Sequence, residues 1–180
     1  MHENCKAIFA RHVLPLLKNG MTTLELSPDN NDTLVRIVKN CGIPTVHYST
    51  GLDGDYNFYM SSENSIEVQS NFFDAIWSSS VIEHVKEPWL WMKELARVTK
   101  PGGFVAVIGP FTWRQHRVRS GNVKRDAWRI LPDGMKILFE QAGLVTEKAE
   151  LLSLAIGNKQ EWRKNRGQPI DVLGIGRKPL

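Results

Sequence analysis

Long apolar runs, cysteine clusters and glycine-rich loops are all missing from this sequence. No uninterrupted apolar stretch approaches the roughly 18 residues a membrane-spanning helix needs, so no membrane partner is expected. Cys5 and Cys41 are the only cysteines among 180 residues. Two thiols make neither a disulfide framework nor a metal cluster, which suits a reducing, cytoplasmic setting and reads as ordinary packing. GxSxG, GxxxxGK[ST] and HExxH are absent as well, which removes the common signatures of serine hydrolases, phosphate-loop enzymes and zinc proteases. The opening stretch MHENCKAIFARHVLPLLKNG carries an early acid and no small-residue cleavage site. It reads as a helix with Ile8, Phe9, Val13, Leu16 and Leu17 on one side rather than as a secretory signal.

What is present is an alternation of helix-like and strand-like segments in a chain with 42% apolar and 23% charged residues. The length suits one domain over 1–180. Strand 22–26 is followed by a helix near Thr33–Asn40, with Asp32 as its N-cap and Cys41-Gly42 closing it. Pro44–Tyr48 reads as a second strand. Phe73–Trp77 is nearly all apolar, as expected of a strand covered on both faces. Pro88 opens a helix with Trp89, Met92, Leu95 and Ala96 at helical spacing. Lys100-Pro101-Gly102-Gly103 is expected to stop that helix and turn the chain into strand Phe104–Ile108. A helix over Leu131–Ala142 ends at Gly143, and late strands are expected near Leu151–Ala155 and Asp171–Gly176. This order predicts an α/β fold of Rossmann-like, doubly wound type, with a mainly parallel sheet between helix layers. Ligands in such sheets lie beyond the carboxyl ends of the strands. That directs attention to Ser27–Asn31, Ser49–Asp55, Ser78–His84 and Pro110–Trp113.

The segment FFDAIWSSSVIEHVKEPWLWMKELARVTKPGGFVAVIGP, residues 72–110, resembles the class I S-adenosylmethionine-dependent methyltransferases of the small, methyltransferase-11-like kind. In them an SFD-type strand, a VLEHV-type turn, an amphipathic helix and a KPGG turn follow in this order. DAWRILPDGMKILFEQAGL, residues 126–144, is similar to a further segment of small methyltransferases in that group. The resemblance implies a sheet of about seven strands and S-adenosylmethionine as cofactor.

TTLELSPDNNDT, residues 22–33, departs from that family. Its first strand normally ends in an acid, a hydrophobe and G-x-G-x-G. Here Glu25 and Leu26 are followed by Ser27, Asp29 and Asn31 at the three glycine positions. Glycine permits positive φ and close backbone approach, and Asp and Asn are the residues that best tolerate the left-handed region in its place. A similar bend is therefore expected, with less room and with a negative charge from Asp29 near the cofactor's carboxylate. The family's ribose-binding acid after the second strand is also missing before Asp53 and Asp55. By resemblance, Glu25, Ser27, Asp29, Glu63, Asn64 and Ser79 are the cofactor-side candidates.

Methyl transfer needs a base only when the acceptor must lose a proton. His84 and His116 are the catalytic candidates because imidazole titrates near neutrality. The stretch FTWRQHRVRSGNVKRDAWRI follows the strand ending at Pro110 and mixes six Lys/Arg with three aromatics. It is read as a substrate cover, with Trp113, Arg117, Trp128 and Arg129 binding a small anionic or sugar-type metabolite. A basic surface loop is the plain alternative. Nucleic acid is a weaker reading, because no recognised RNA module accompanies the stretch. The net charge of +4 does not decide the matter. Three functions remain open: a small-molecule methyltransferase, a non-catalytic relative acting as a binding or partner subunit, or a relative that uses the scaffold for another reaction such as a cyclisation or isomerisation. The short chain leaves little space for an acceptor lid, which is compatible with a second copy or a partner subunit completing the pocket.

Overall fold

The computed structural model describes residues 3–28, 33–51, 57–113, 115, 125–154 and 170–180. Helix α1 (Glu3–Ile8) runs through a wider turn at Phe9–Val13 and a tighter one at Leu14–Leu16. The expected N-terminal helix is thus present but uneven. Pro15 cannot supply an N–H to an α-helical turn, which accounts for the change of pitch at the end. Next come β1 (Thr22–Leu26), α2 (Val35–Asn40), β2 (Val46–Gly51), β3 (Phe58–Ser62) and β4 (Ser65–Ile66). β5 (Phe73–Ser79) leads through a tight turn at Ile82–His84 into α3 (Pro88–Val98) and β6 (Thr99–Pro110). α4 (Pro132–Gln141), β7 (Val145–Leu152) and β8 (Asp171–Arg177) complete the described chain.

The strands form one sheet in the order β4-β3-β2-β1-β5-β6-β8-β7. Five central strands, β3 to β6 in space, pair parallel. β8 runs antiparallel between β6 and β7, and the two-residue β4 pairs antiparallel with β3. The mainly parallel sheet is as expected, with the small β4 added to the seven longer strands.

Period-2 alternation distributes the core over two layers. On one face Leu24, Leu26, Ile76, Val105 and Val107 pack under Trp91, Met92 and Leu95 of α3 and Met135 and Phe139 of α4. On the other, Ala75, Trp77, Phe104, Ala106 and Ile108 meet Ile8, Phe9 and Val13 from the N-terminal helix and Val35 and Val38 from α2. Cys5 lies in this second layer, as a packing residue should, whereas Cys41 is exposed.

Several boundaries differ from the sequence reading. β2 begins later and ends later than Pro44–Tyr48, and β7 begins at Val145 rather than near Leu151. Asp32, the expected cap of α2, falls outside the described residues. Lys100–Gly103 does not form a turn between helix and strand. α3 hands over directly to β6, and the glycines lie inside that strand, opposite an irregularity in its pairing with β5. Gly102 takes φ +77°. A Cβ on Gly103 would stand 2.7 Å from the Asp74 carbonyl and 2.9 Å from the Lys100 carbonyl. Both are backbone atoms and cannot rotate away. Gly103→Val is therefore expected to cost about 3 kcal/mol, or a melting temperature roughly 10 °C lower for a chain of this size. Thermal unfolding followed by circular dichroism reads this directly.

Candidate active site at the carboxyl ends of the central strands

Because β1, β2, β5 and β6 are parallel, their last residues lie along one edge of the sheet. The strand order reverses between β1 and β5, so their carboxyl ends open a crevice of the kind α/β proteins use for ligands. Ser27 follows β1 there with φ +45°, the left-handed conformation that its place at the first glycine position demands. Its N–H donates to the Thr50 carbonyl at 2.7 Å, which ties the bend to β2.

Glu25 points to the opposite face of β1 from Leu24 and Leu26 and is 2% exposed. Its carboxylate accepts from the backbone N–H groups of Leu34 at 2.8 Å and Val35 at 3.1 Å. The acid preceding the loop thereby caps α2, a helix too short to stand without such support. His47 Nε2 lies 3.9 Å from the same carboxylate, while His47 Nδ1 meets the Thr23 hydroxyl at 3.0 Å. The His47 ring stacks on Trp77, with centroids 5.4 Å apart. Burial and the Lys39 cation lower its pKa to about 4.

β2 reaches Gly51, three residues beyond the expected end. In sequence, Asp53 therefore follows the strand by two positions, nearer to the ribose-acid position than the sequence reading allowed. Asp53 and Asp55 lie outside the described residues, as do Asp29, Asn31, His116 and Arg117.

At the end of β5, the Ser78 and Ser79 hydroxyls are buried without a hydrogen-bond partner among the described residues. The Asn64 side-chain oxygen, in the β3–β4 turn, is in the same position. Glu63 is engaged: it forms an ion pair with Arg125 and accepts from the Lys86 N–H at 2.7 Å.

The remaining sequence candidates meet in one polar seam. Residues 82–86 and 125–129 are fastened to each other by backbone and side-chain bonds. The Ala127 N–H donates to the Glu83 carbonyl at 2.7 Å, and Arg125 Nε donates to the His84 carbonyl at 2.8 Å. His84 Nδ1 lies 2.5 Å from the Arg125 carbonyl, and Trp128 Nε1 donates to the Val85 carbonyl at 2.7 Å. Trp128 also meets Trp89 edge-on. Arg129 forms a two-pronged pair with Asp126, at 2.5 and 2.9 Å, and donates to the Trp113 carbonyl at 3.2 Å. His84, Trp113, Trp128 and Arg129 are thus brought together, but Trp128 Nε1 and the Arg129 fork are used to hold the segment in place.

Sequence reasoning placed Glu83 in the family's turn beside His84 but gave it no role in the site. It is 1% exposed, and neither carboxyl oxygen has a hydrogen-bond partner among the described residues. Burial raises its pKa to about 8, Asp126 and Asp171 push it further up, and its own backbone N–H and Arg129 act against the rise. No periodicity in a three-residue turn announces which side chain faces inward. The Arg125–Glu63 pair bridges 62 positions and had no local signal either.

Comparison with known proteins agrees with this geometry. The family model described as a methyltransferase domain matches residues 21–107. An uncharacterised methyltransferase of Mycobacterium leprae is 39% identical over 59 residues, which span 30% of this chain and 22% of that protein's length. Among solved structures, a chain from the complex of a methyltransferase activator with a methyltransferase of Haloferax volcanii superposes with TM-score 0.68 at 16% identity. That match covers 98% of this chain and 91% of the other. Phosphoethanolamine N-methyltransferase 2 of Haemonchus contortus, in complex with S-adenosyl-L-methionine, gives TM-score 0.66 at 13% identity, covering 99% of this chain and 52% of that one. No helix among the described residues is long and apolar enough to cross a membrane. Sheet order, crevice, family-model match and superpositions together identify the chain as having the fold of the class I S-adenosylmethionine-dependent methyltransferases, with a methyltransferase-domain match over residues 21–107.

Proposed function

We propose that this chain is an S-adenosylmethionine-dependent methyltransferase acting on a small, anionic or sugar-type metabolite. The observation that carries the reading is Ser27: a non-glycine residue held at φ +45° where the strand order reverses. Ser27 keeps a glycine-like backbone conformation without the glycine, and such strain is retained mainly where a site requires the shape. The residues also fit the cofactor chemically. Ser78, Ser79 and Asn64 offer buried oxygens without partners among the described residues, the kind of group a polar ligand would satisfy.

In this reading Ser27 and Asp29 border the cofactor's amino-acid end, Glu25 holds the loop from beneath, and Asn64, Glu63 and Ser79 line the adenosine side. S-adenosylmethionine supplies an electrophilic methyl group on a sulfonium. The chain's own work is to position the acceptor in line with that methyl, to exclude water and, for a hydroxyl acceptor, to take a proton at His84 or His116. Trp113, Arg117, Trp128 and Arg129 belong to the segment that covers the acceptor. The Haemonchus relative, whose named substrate is a phosphorylated amine, supports an anionic acceptor. The Haloferax complex supports a partner subunit as an alternative to a second copy.

Calorimetric titration with S-adenosylmethionine and S-adenosylhomocysteine tests the proposal. Micromolar to submillimolar binding is expected. Ser27→Gly should tighten it several-fold and add about 1 kcal/mol of stability, because the left-handed penalty disappears. Asp29→Gly should tighten it about fivefold, matching a repulsion of about 1 kcal/mol. Absence of binding at millimolar ligand overturns the enzyme reading. It would favour the non-catalytic partner subunit, for which the loss of all three loop glycines is the motivating observation.

A further inference from the structure

Arg125 ties together segments that are far apart in sequence. Its guanidinium forms an ion pair with Glu63, in the turn between β3 and β4, and Glu63 also accepts from the Lys86 N–H at 2.7 Å. Its Nε donates to the His84 carbonyl at 2.8 Å. Its own carbonyl lies 2.5 Å from His84 Nδ1. Residues 84 and 125 are thus bonded twice, each side chain to the other's backbone. A carbonyl oxygen only accepts, so Nδ1 carries the hydrogen of the second bond. In the neutral imidazole the basic lone pair then belongs to Nε2. The His84 side chain is 13% exposed, so its protein contacts rather than solvent decide how the ring is turned.

We propose that Arg125 is a positioning residue for His84: its side chain clamps the two backbones together and so holds the imidazole in the Nδ1–H tautomer, with Nε2 as the nitrogen able to take a proton. The clamp is a closed ring. Glu63 grips the Lys86 N–H and the guanidinium, and the guanidinium grips the His84 carbonyl two residues before Lys86. A planar fork suits this task because it can meet a carboxylate at one end while Nε reaches a carbonyl in a fixed direction; a lysine ammonium is a single point on a flexible stem. The Arg125 side chain is 39% exposed, and an ion pair so placed adds little stability. The Ala127 N–H, bonded to the Glu83 carbonyl at 2.7 Å, is a separate attachment of the same segment. Removing the guanidinium therefore loosens the His84 ring without unfolding the chain. That Nε2 serves as the base in methyl transfer rests on the function proposed above. The tautomer does not depend on that function.

Nitrogen-detected NMR of the ligand-free protein at mildly alkaline pH reads the tautomer, with His84 assigned through His84→Gln. Wild type should show a protonated Nδ1 and an unprotonated Nε2. Arg125→Met keeps the length of the stem but removes every donor, and should turn the His84 signals into those of a tautomer mixture while His12 and His47 stay unchanged. Its melting temperature should fall by less than about 4 °C. Arg125→Lys, the milder change, keeps the charge facing Glu63 but not the Nε donor, and should give the same mixture. A wild-type His84 with Nδ1 unprotonated overturns the proposal, as does a folded Arg125→Met or Arg125→Lys with the wild-type signals. These readouts need no cofactor, so absence of S-adenosylmethionine binding would end the proposed function and leave the clamp to be decided by the tautomer. With methyl transfer in hand, Arg125→Met should lower kcat about 100-fold and leave KM for S-adenosylmethionine within about threefold, the pattern of a misplaced catalytic group. A kcat within about twofold of wild type would overturn the positioning role.

Discussion

Glu25→Ala is expected to destabilise the protein by about 3 kcal/mol and to weaken S-adenosylmethionine binding at least tenfold. The side chain is 2% exposed and takes two backbone N–H groups at the start of α2. Hydrogen bonds to a charged acceptor are worth about 1.5–3 kcal/mol each, and part of that is offset because a buried carboxylate is removed along with them. α2 has six residues and cannot sustain itself, so the lost cap spreads to the loop just before it. Glu25→Gln should recover little. The amide offers one accepting oxygen and one donating nitrogen, and the nitrogen would confront a backbone donor. Urea unfolding of both variants, with cofactor titration on the folded fraction, checks the two effects. A stability within 1 kcal/mol of wild type for Glu25→Ala would mean that the cap contributes little.

The second large effect is the dependence of stability on pH. Glu83 ionises near 4.5 when unfolded and near 8 when folded. The folded chain therefore favours the protonated acid. That contribution is complete below about pH 4.5 and is lost as pH rises through about 8. A shift of this size corresponds to about 5 kcal/mol at most. His47 acts at the other end. Its folded pKa near 4 lies below the unfolded 6.5, so the folded chain resists its protonation. Stability then falls as pH drops from about 6.5 to 4, by about 3 kcal/mol. Between about pH 4.5 and 6.5 the two slopes offset each other, so together they predict a plateau there and a fall of about 2 kcal/mol from about pH 6.5 to 8. Denaturant midpoints from pH 4 to 9 should trace that plateau and fall. In Glu83→Gln the alkaline side should flatten, leaving the variant more stable than wild type at pH 8.5. Parallel alkaline limbs in the two proteins would refute the assignment to Glu83.

Much of the architecture was legible because it depends on local patterns. The near-continuous apolar run Phe73–Trp77 marks a doubly covered strand, and it forms the centre of β5. Gly42 and Gly143 stand at the ends of α2 and α4 with positive φ, as helix-closing glycines should. β3 and β4 were missed because Phe58–Ser62 and Ser65–Ile66 are short strands at the sheet edge whose apolar residues do not alternate with polar ones. The Lys100–Gly103 stretch was misread for a related reason. Its glycines answer to the Asp74 and Lys100 carbonyls and to the backbone of Lys178 just after β8, contacts that a turn-forming composition does not reveal.

By itself the sequence determined the alternation of elements, the two-layer core and the departure of Ser27, Asp29 and Asn31 from a glycine loop, since each follows from periodicity or residue type at neighbouring positions. Only the tertiary structure decided that Glu25 caps α2, that Trp128 and Arg129 fasten one segment to another, and that Glu83 is buried against His84. Hydrogen bonds and desolvation depend on which distant groups share a space, and residues 83 and 126 come together only when the 82–86 turn and the chain before α4 close over the sheet edge.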